Sequence, residues 1–271
     1  MARALSRSGV TRLCLAALLV ASLTAGAAAD HAAAGKGGKA PKVRWHKLVR
    51  DARDFLQARG GSASFAVIDE RRRIHSYRGS VPYSSASLVK AMLLVSYVSR
   101  RDVRHRRLNA SERALLGPMI RVSDNDAASA IYDHVGEGGL VRVARRAGMR
   151  SFVPNPVWGG CQVTARDQAR FFFRIRALLP HRHRKYALGL LRRIVSYQRW
   201  GIPQGAPGGW RLYFKGGWFP DDDGWRVHQA AQLRQGKRRI SIAVLTRGNQ
   251  SLEYGAATIA GVAARLLHGY R

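Results

Sequence analysis

The chain has 271 residues, 46% of them hydrophobic and 8% aromatic, enough apolar matter to bury a sizeable core in one large or two small domains. A formal net charge of +31 raises nucleic acid as a partner. Yet 39 of the 47 bases are arginines scattered along the chain, with no zinc-finger spacing, aromatic RNA-binding strand or glycine-rich phosphate loop beside them, which excludes specific nucleic-acid recognition and leaves attraction to anionic envelope polymers or lipid surfaces.

Residues 1–29 read as a secretory signal peptide: Arg3, Arg7 and Arg12 are followed by an apolar stretch over 13–23 and by Ala27-Ala28-Ala29 before Asp30. The apolar run is short for a permanent membrane helix, so the chain is expected to be exported, with an uncleaved anchor as the alternative. Cys14 would leave with the signal, and Cys161 alone forms no internal disulfide. Residues 30–43 are a basic flexible linker by composition, and 44–271 read as one domain.

Residues 44–59 place Trp45, Leu48, Val49, Ala52, Phe55 and Leu56 on one helical stripe that ends at Gly60-Gly61. Strands are expected at 64–69 and 74–77 about a polar turn. The stretch 83–97 follows, apolar almost all round as a buried helix is. Ser87 and Lys90 stand inside it, and Lys90 is the only lysine of eight with a serine three residues before it. That spacing puts hydroxyl and amine on one helical face. A buried lysine sheds its charge more readily, and a neutral lysine is a base for a serine nucleophile; a helix-start serine and a lysine whose tip reaches solvent account for the same residues.

Residues 100–107 read as solvated basic surface. Asn109 or Ser111 opens a helix that buries Leu115, Leu116, Met119 and Ile120. It runs into Ser123-Asp124-Asn125, and further helices cover 127–135 and 140–147 about a glycine break. The stretch 151–163 reads as irregular. Thr164 and Asp167 are placed as a capping box for a helix through 178, followed by one over 182–198. His181 and His183 are assigned to the surface, and Asp221, Asp222 and Asp223 to a solvated turn. Strands at 210–215, 226–234 and 240–247 and a helix over 253–268 close the chain. Two strands early and three late imply one mainly antiparallel, five-stranded sheet flanked by helices, an α/β (α+β) fold completed by distant parts of the chain.

Three marks stand in order: Ser87-Leu88-Val89-Lys90, Ser123-Asp124-Asn125, and Lys215-Gly216-Gly217 at the end of the first late strand. They resemble the S-x-x-K, S-D-N and K-T-G signature of class A β-lactamases and penicillin-binding serine DD-peptidases, and the resemblance covers about 44–270. It implies a β-lactamase/transpeptidase-like fold and an exported serine hydrolase. Ser87 would be the acylated nucleophile, Lys90 its base, and Ser123 the proton relay to the leaving nitrogen. Asn125 would hold a substrate amide and Lys215 would supply positive charge. Gly217 and Trp218 would line the substrate, with the N–H groups of Ser87 and Trp218 as the oxyanion hole. Asp124 would be structural. The implied partner is a β-lactam or peptidoglycan-derived peptide, acting on a monomer with no cofactor or metal.

Two departures matter. The loop over 151–166 holds no acid where class A enzymes carry the glutamate that directs water onto the acyl-enzyme, so acylation is expected to outpace deacylation. Gly216 replaces the hydroxyl residue of K-T-G, a loss of roughly 1–3 kcal/mol for carboxylate-bearing substrates if their partner site is left unpaired. The alternative is a non-catalytic envelope-binding or β-lactam-sensing module that keeps the fold.

Overall fold

Helix α1, Trp45–Gln57, turns Ala52 and Leu56 inward and packs on the last helix, α8, Leu252–Leu266. The computed structural model describes residues 43–270; the stretch 1–29 read as a signal peptide and, apart from Val43, the stretch 30–43 read as a linker lie outside the described residues. Beyond α1 the chain forms β1, Ser62–Ile68, and β2, Ile74–Tyr77. The other long strands come only after residue 210: β5 Arg211–Asp221, β6 Gly224–Gln235 and β7 Arg238–Asn249. They join in the order β2-β1-β7-β6-β5, every pair antiparallel, so the early hairpin docks on the last strand.

Alternation along the strands sends successive side chains to opposite faces. Gln232 and Ser241 hydrogen-bond carbonyls of α5, Ala165–Leu178, on one face. Val227 presses on Gly255 of α8 on the other, where a methyl on the glycine would lie 2.4 Å from Val227. The two turns that join the late strands are tight, with Asp221 paired to Gly224 and Gln235 to Arg238. Asp221 is ion-paired with Arg226.

The helical layer holds α2 Lys90–Val98, α3 Ala110–Arg121, α4 Asn125–Ala147 and α6 His181–Arg192, and the short α7, Ile202–Gly205, packs on α8. All nine residues of α2 are buried, and each of its leucines and valines contributes roughly 1.5–3 kcal/mol by leaving water. Asn109 rather than Ser111 caps α3, in a reciprocal capping box with Glu112. The glycine break expected after 135 is present inside α4, where Gly136 has φ of 61°.

Several local expectations need correction. Only part of 100–107 is free surface: Val103 is buried, and Arg106 pairs at 2.6 Å with Glu112, whose carboxyl Arg106 holds down to about 2. His183 is buried and bonds the Val103 carbonyl at 3.0 Å, tying α6 beneath that segment. The helix expected over 182–198 ends at Arg192, ahead of a separate 3₁₀ turn, Ser196–Gln198. Lys215-Gly216-Gly217 lies inside β5, not at its end, because the β5–β6 ladder continues to Asp221. Thr164 caps α5 alone; the Asp167 carboxylate instead accepts from the backbone of Arg150 at 2.9 Å and Ser151 at 2.8 Å and pairs with Arg170.

Candidate active site

The chain enters the site through β3, Pro82–Ser84, which pairs with β4, Gln162–Thr164, a strand inside the stretch read as irregular. This small sheet ties the loop over 151–161 to the nucleophile turn. The Ser85 N–H donates to the Cys161 carbonyl at 2.8 Å, and its hydroxyl reaches the Gly159 carbonyl at 3.3 Å. Ala86 then takes φ of 45°, a left-handed value that a residue with a Cβ adopts at a cost of roughly 1–2 kcal/mol. The turn delivers Ser87, half-buried, on a 3₁₀ turn, Ala86–Val89, ahead of α2.

Lys90, the first residue of α2, is fully buried. Its amine meets the Ser123 carbonyl at 2.5 Å, Asn125 Oδ1 at 2.7 Å and Ser123 Oγ at 3.3 Å. Its bonds thus run to the turn between α3 and α4, and not to Ser87: the shared helical face brings the pair to one cleft without joining them. Ser123 is itself strained, with φ of 63°. Asp124 follows as N-cap of α4, accepting from the Ala127 N–H at 2.8 Å. Its carboxylate is spent on backbone, as expected of a structural residue.

Lys215 arrives from β5. Its amine donates to Ser123 Oγ at 3.0 Å and to the Gly216 carbonyl at 2.8 Å, so both lysines converge on one hydroxyl. Burial lowers the Lys90 pKa to about 7, against which the Asp124 charge pulls upward. Burial, and then the charge on Lys90, push Lys215 well below the ordinary lysine value. The bonding patterns accommodate neutral amines: a neutral Lys215 still donates its two bonds, and a neutral Lys90 donates to two carbonyl oxygens while accepting the Ser123 proton.

Gly217 faces the nucleophile turn. A Cβ there would lie 2.8 Å from the backbone nitrogens of both Ser87 and Leu88, so only glycine lets β5 approach this closely. Gly216 and Trp218 point to the other face of the sheet. A Cβ on Gly216 would stand 3.3 Å from the Trp200 indole, which packs edge-on against Trp218 with ring centroids 5.8 Å apart. The space beside Gly216 is therefore occupied by an aromatic side chain.

Ser87, Ser123, Asn125 and Trp218 line one cleft of about 480 Å³, with Lys90 and Lys215 beneath it. Phe219 stands beside Trp218 as an aromatic wall, and residues that the sequence did not single out complete the cleft: Val157 and Trp158 from the loop and Arg226 from β6. Trp158 lies over Lys90, its ring centroid 4.7 Å from the amine. None of the lining residues is a carboxylic acid, and Glu137 is exposed on α4. His228 is a further buried residue missed in the sequence. Its Nε2 donates to the Ser84 carbonyl and its Nδ1 accepts from the Thr246 N–H, each at 3.1 Å, and burial lowers its pKa to about 4. Neutral and fixed in one tautomer, it links the sheet to the strand before the nucleophile. Among the described residues no three His, Cys, Asp or Glu side chains gather as a metal set.

A family model described as the beta-lactamase enzyme family matches residues 102–270. The chain belongs to that family. The beta-lactamase of Sphaerobacter thermophilus superposes with a TM-score of 0.69 at 17% identity, covering 82% of this chain and 96% of its own. The class A beta-lactamase of the last common ancestor of Gram-negative bacteria gives 0.70 at 20% identity, covering 83% and 99%. The beta-lactamase from Desulfarculus baarsii gives 0.69 at 17%, covering 84% and 98%. These structures share the fold of this chain. No curated protein matches in sequence. At the level of the family, this beta-lactamase-like chain is a serine hydrolase. Ser87 and Lys90 lie ahead of the matched span, so their placement rests on the geometry of the cleft.

Proposed function

We propose that the protein is an exported serine hydrolase that is acylated on Ser87 by β-lactams or by D-Ala-D-Ala-like peptide amides and is released from the acyl group slowly. The observation that carries this reading is the convergence of Lys90 and Lys215 on Ser123 beneath a cleft that Ser87 enters and that no carboxylate lines.

In acylation, neutral Lys90 takes the Ser87 hydroxyl proton as Oγ attacks the substrate carbonyl carbon. The apo contacts of Lys90 lie with Ser123 and Asn125, and its approach to Ser87 tightens when substrate fills the cleft. The N–H groups of Ser87 and Trp218 receive the developing oxyanion; the close seating of Gly217 on the Ser87 nitrogen supports that pairing. The C–N bond then breaks, and Ser123 gives its proton to the departing nitrogen and recovers one from the protonated lysine. Asn125 holds the substrate's amide side chain. Arg226 at the rim faces its carboxylate, and Lys215 beneath holds the Ser123 hydroxyl in position by donating to it.

Deacylation needs a base to deprotonate water on the acyl carbonyl. In this cleft Trp158 covers Lys90, and the loop that carries it has no acid. A fluorescent penicillin tests the first half of the cycle: the parent is expected to retain label through denaturing electrophoresis, and Ser87→Ala to retain none. Labelling that survives in Ser87→Ala would refute the assignment of the nucleophile. The β-lactam-sensing reading draws on the same acid-free cleft. It expects identical labelling but no release of product from peptide substrates, whereas the hydrolase releases product stoichiometrically and then slowly.

A further inference from the structure

Three arginines stand directly opposite one another on three adjacent strands. Arg211 of β5 faces Arg234 of β6, and Arg234 faces Arg239 of β7. Directly opposed residues of an antiparallel pair project from the same face, so the three form a row across the sheet with about 5 Å between strands. Like charges so placed repel each other and destabilise a sheet. None of the three has a carboxylate partner among the described residues, and Glu70 beside them is taken by Arg238 at 2.9 Å. Arg234 and Arg239 line an open depression together with Arg72, Lys237, Arg238 and Glu70, and Arg211 extends the row beyond it. Crowding is felt within it: burial lowers the Arg239 pKa, and the charges of Arg234 and Arg72 lower it further.

We propose that this end of the sheet binds a linear phosphate polymer, its successive phosphates lying along the row Arg211, Arg234 and Arg239. Guanidinium forks match phosphate oxygens in pairs, which a point charge does not. A row of cations fits a chain of anions better than a single ion. The aromatic rings at this end are covered by the arginines themselves, Phe173 by Arg239 at 4.0 Å and Trp210 by Arg238 at 4.9 Å, which leaves no open ring for stacking bases. A bare polyphosphate or phosphodiester backbone is therefore favoured over nucleic acid. The row shares a sheet face with Lys215, four residues along β5 and roughly 13 Å away at strand rise. A polymer held here would keep the enzyme beside an anionic envelope without filling the cleft.

The test uses the full chain and four probes: inorganic polyphosphate, inorganic phosphate, single-stranded DNA, and vesicles of phosphatidylglycerol. Arg211→Gln/Arg234→Gln is compared with Arg101→Gln/Arg107→Gln, which removes the same charge at two exposed positions away from the row. Polyphosphate is expected to raise the melting temperature of the parent and to bind it more tightly than inorganic phosphate, DNA or vesicles do. The row variant should lose about tenfold in polyphosphate affinity while the control loses about twofold or less. Without ligand the row variant should melt no lower than the parent, since repulsion has been removed. Arg239→Gln supplies a second reading should the double variant fold poorly. Equal losses in both double variants would reduce the effect to net charge and overturn the site. Tighter binding of DNA or of vesicles than of polyphosphate would overturn the ligand.

Discussion

At the scale of single residues, the proposed chemistry turns on the protonation of Lys90. With its pKa near 7, the amine is about half neutral at neutral pH and becomes a better base above it. The second-order rate of acylation by a penicillin should therefore climb through an inflection near pH 7, and a flat profile from pH 6 to 8 would show another group to be the base. The same shift acts on stability. A lysine whose folded pKa is depressed penalises the folded state while charged, and the penalty is relieved as pH rises from about 7 towards the ordinary value of 10.5. Melting of Lys90→Met against the parent should favour the variant most at pH 6, with the difference shrinking by pH 10. Gly216 makes a different point. From sequence it is a missing hydroxyl; in the fold it is also the floor beneath Trp200. Gly216→Ser alone should change acylation by about twofold or less, because the indole must move by a few tenths of an ångström. Joined to Trp200→Ala it should gain about tenfold on carboxylate-bearing substrates, the equivalent of one added hydrogen bond. Acylation rates of the two variants settle it.

At the scale of elements, two joints set the geometry of the cleft. The first is β5 against the nucleophile turn. In Gly217→Ala the added methyl would meet backbone nitrogens at 2.8 Å, and neither partner is a flexible side chain that could yield. Displacement of β5 should cut acylation on the order of 10²-fold although Ser87, Lys90, Ser123 and Lys215 are all retained in the variant; unchanged labelling would show that the close approach is dispensable. The second is the buried Asp167, which pins the start of the loop through two backbone N–H groups. Asp167→Ala strands those donors and Arg170, a loss of about 2–4 kcal/mol that should appear as lower melting and faster proteolysis within 151–163. The sequence showed Thr164 and Asp167 at capping-box spacing and could not show that the carboxylate is pulled away by a segment sixteen residues earlier. His183 went astray for the same reason. A basic run reads as surface until a distant carbonyl, here that of Val103, is placed above it.

At the scale of the whole molecule, what was legible is what local periodicity and motif order encode. The five strands, their antiparallel hairpins and the buried helix after Ser87 follow from apolar alternation and turn residues. Ser87, Lys90, Ser123, Asn125 and Lys215 were legible because their spacing and order are a pattern, and the fold does bring them to one cleft. Pairings across long separations were not legible. β3 joins β4 across some eighty residues, Trp158 covers Lys90, and Trp200 occupies the space beside Gly216; each depends on packing that no window of sequence contains. On the proposed reading the cleft is equipped for acylation on one side, while on the other an indole, Trp158, covers Lys90 and no lining residue is an acid. The most direct test of that division is intact-mass spectrometry over time after mixing with a penicillin. A single adduct, mapped to Ser87 and persisting long after acylation is complete, is the expected result. Rapid turnover with no accumulating adduct, or neither adduct nor hydrolysis, would contradict it.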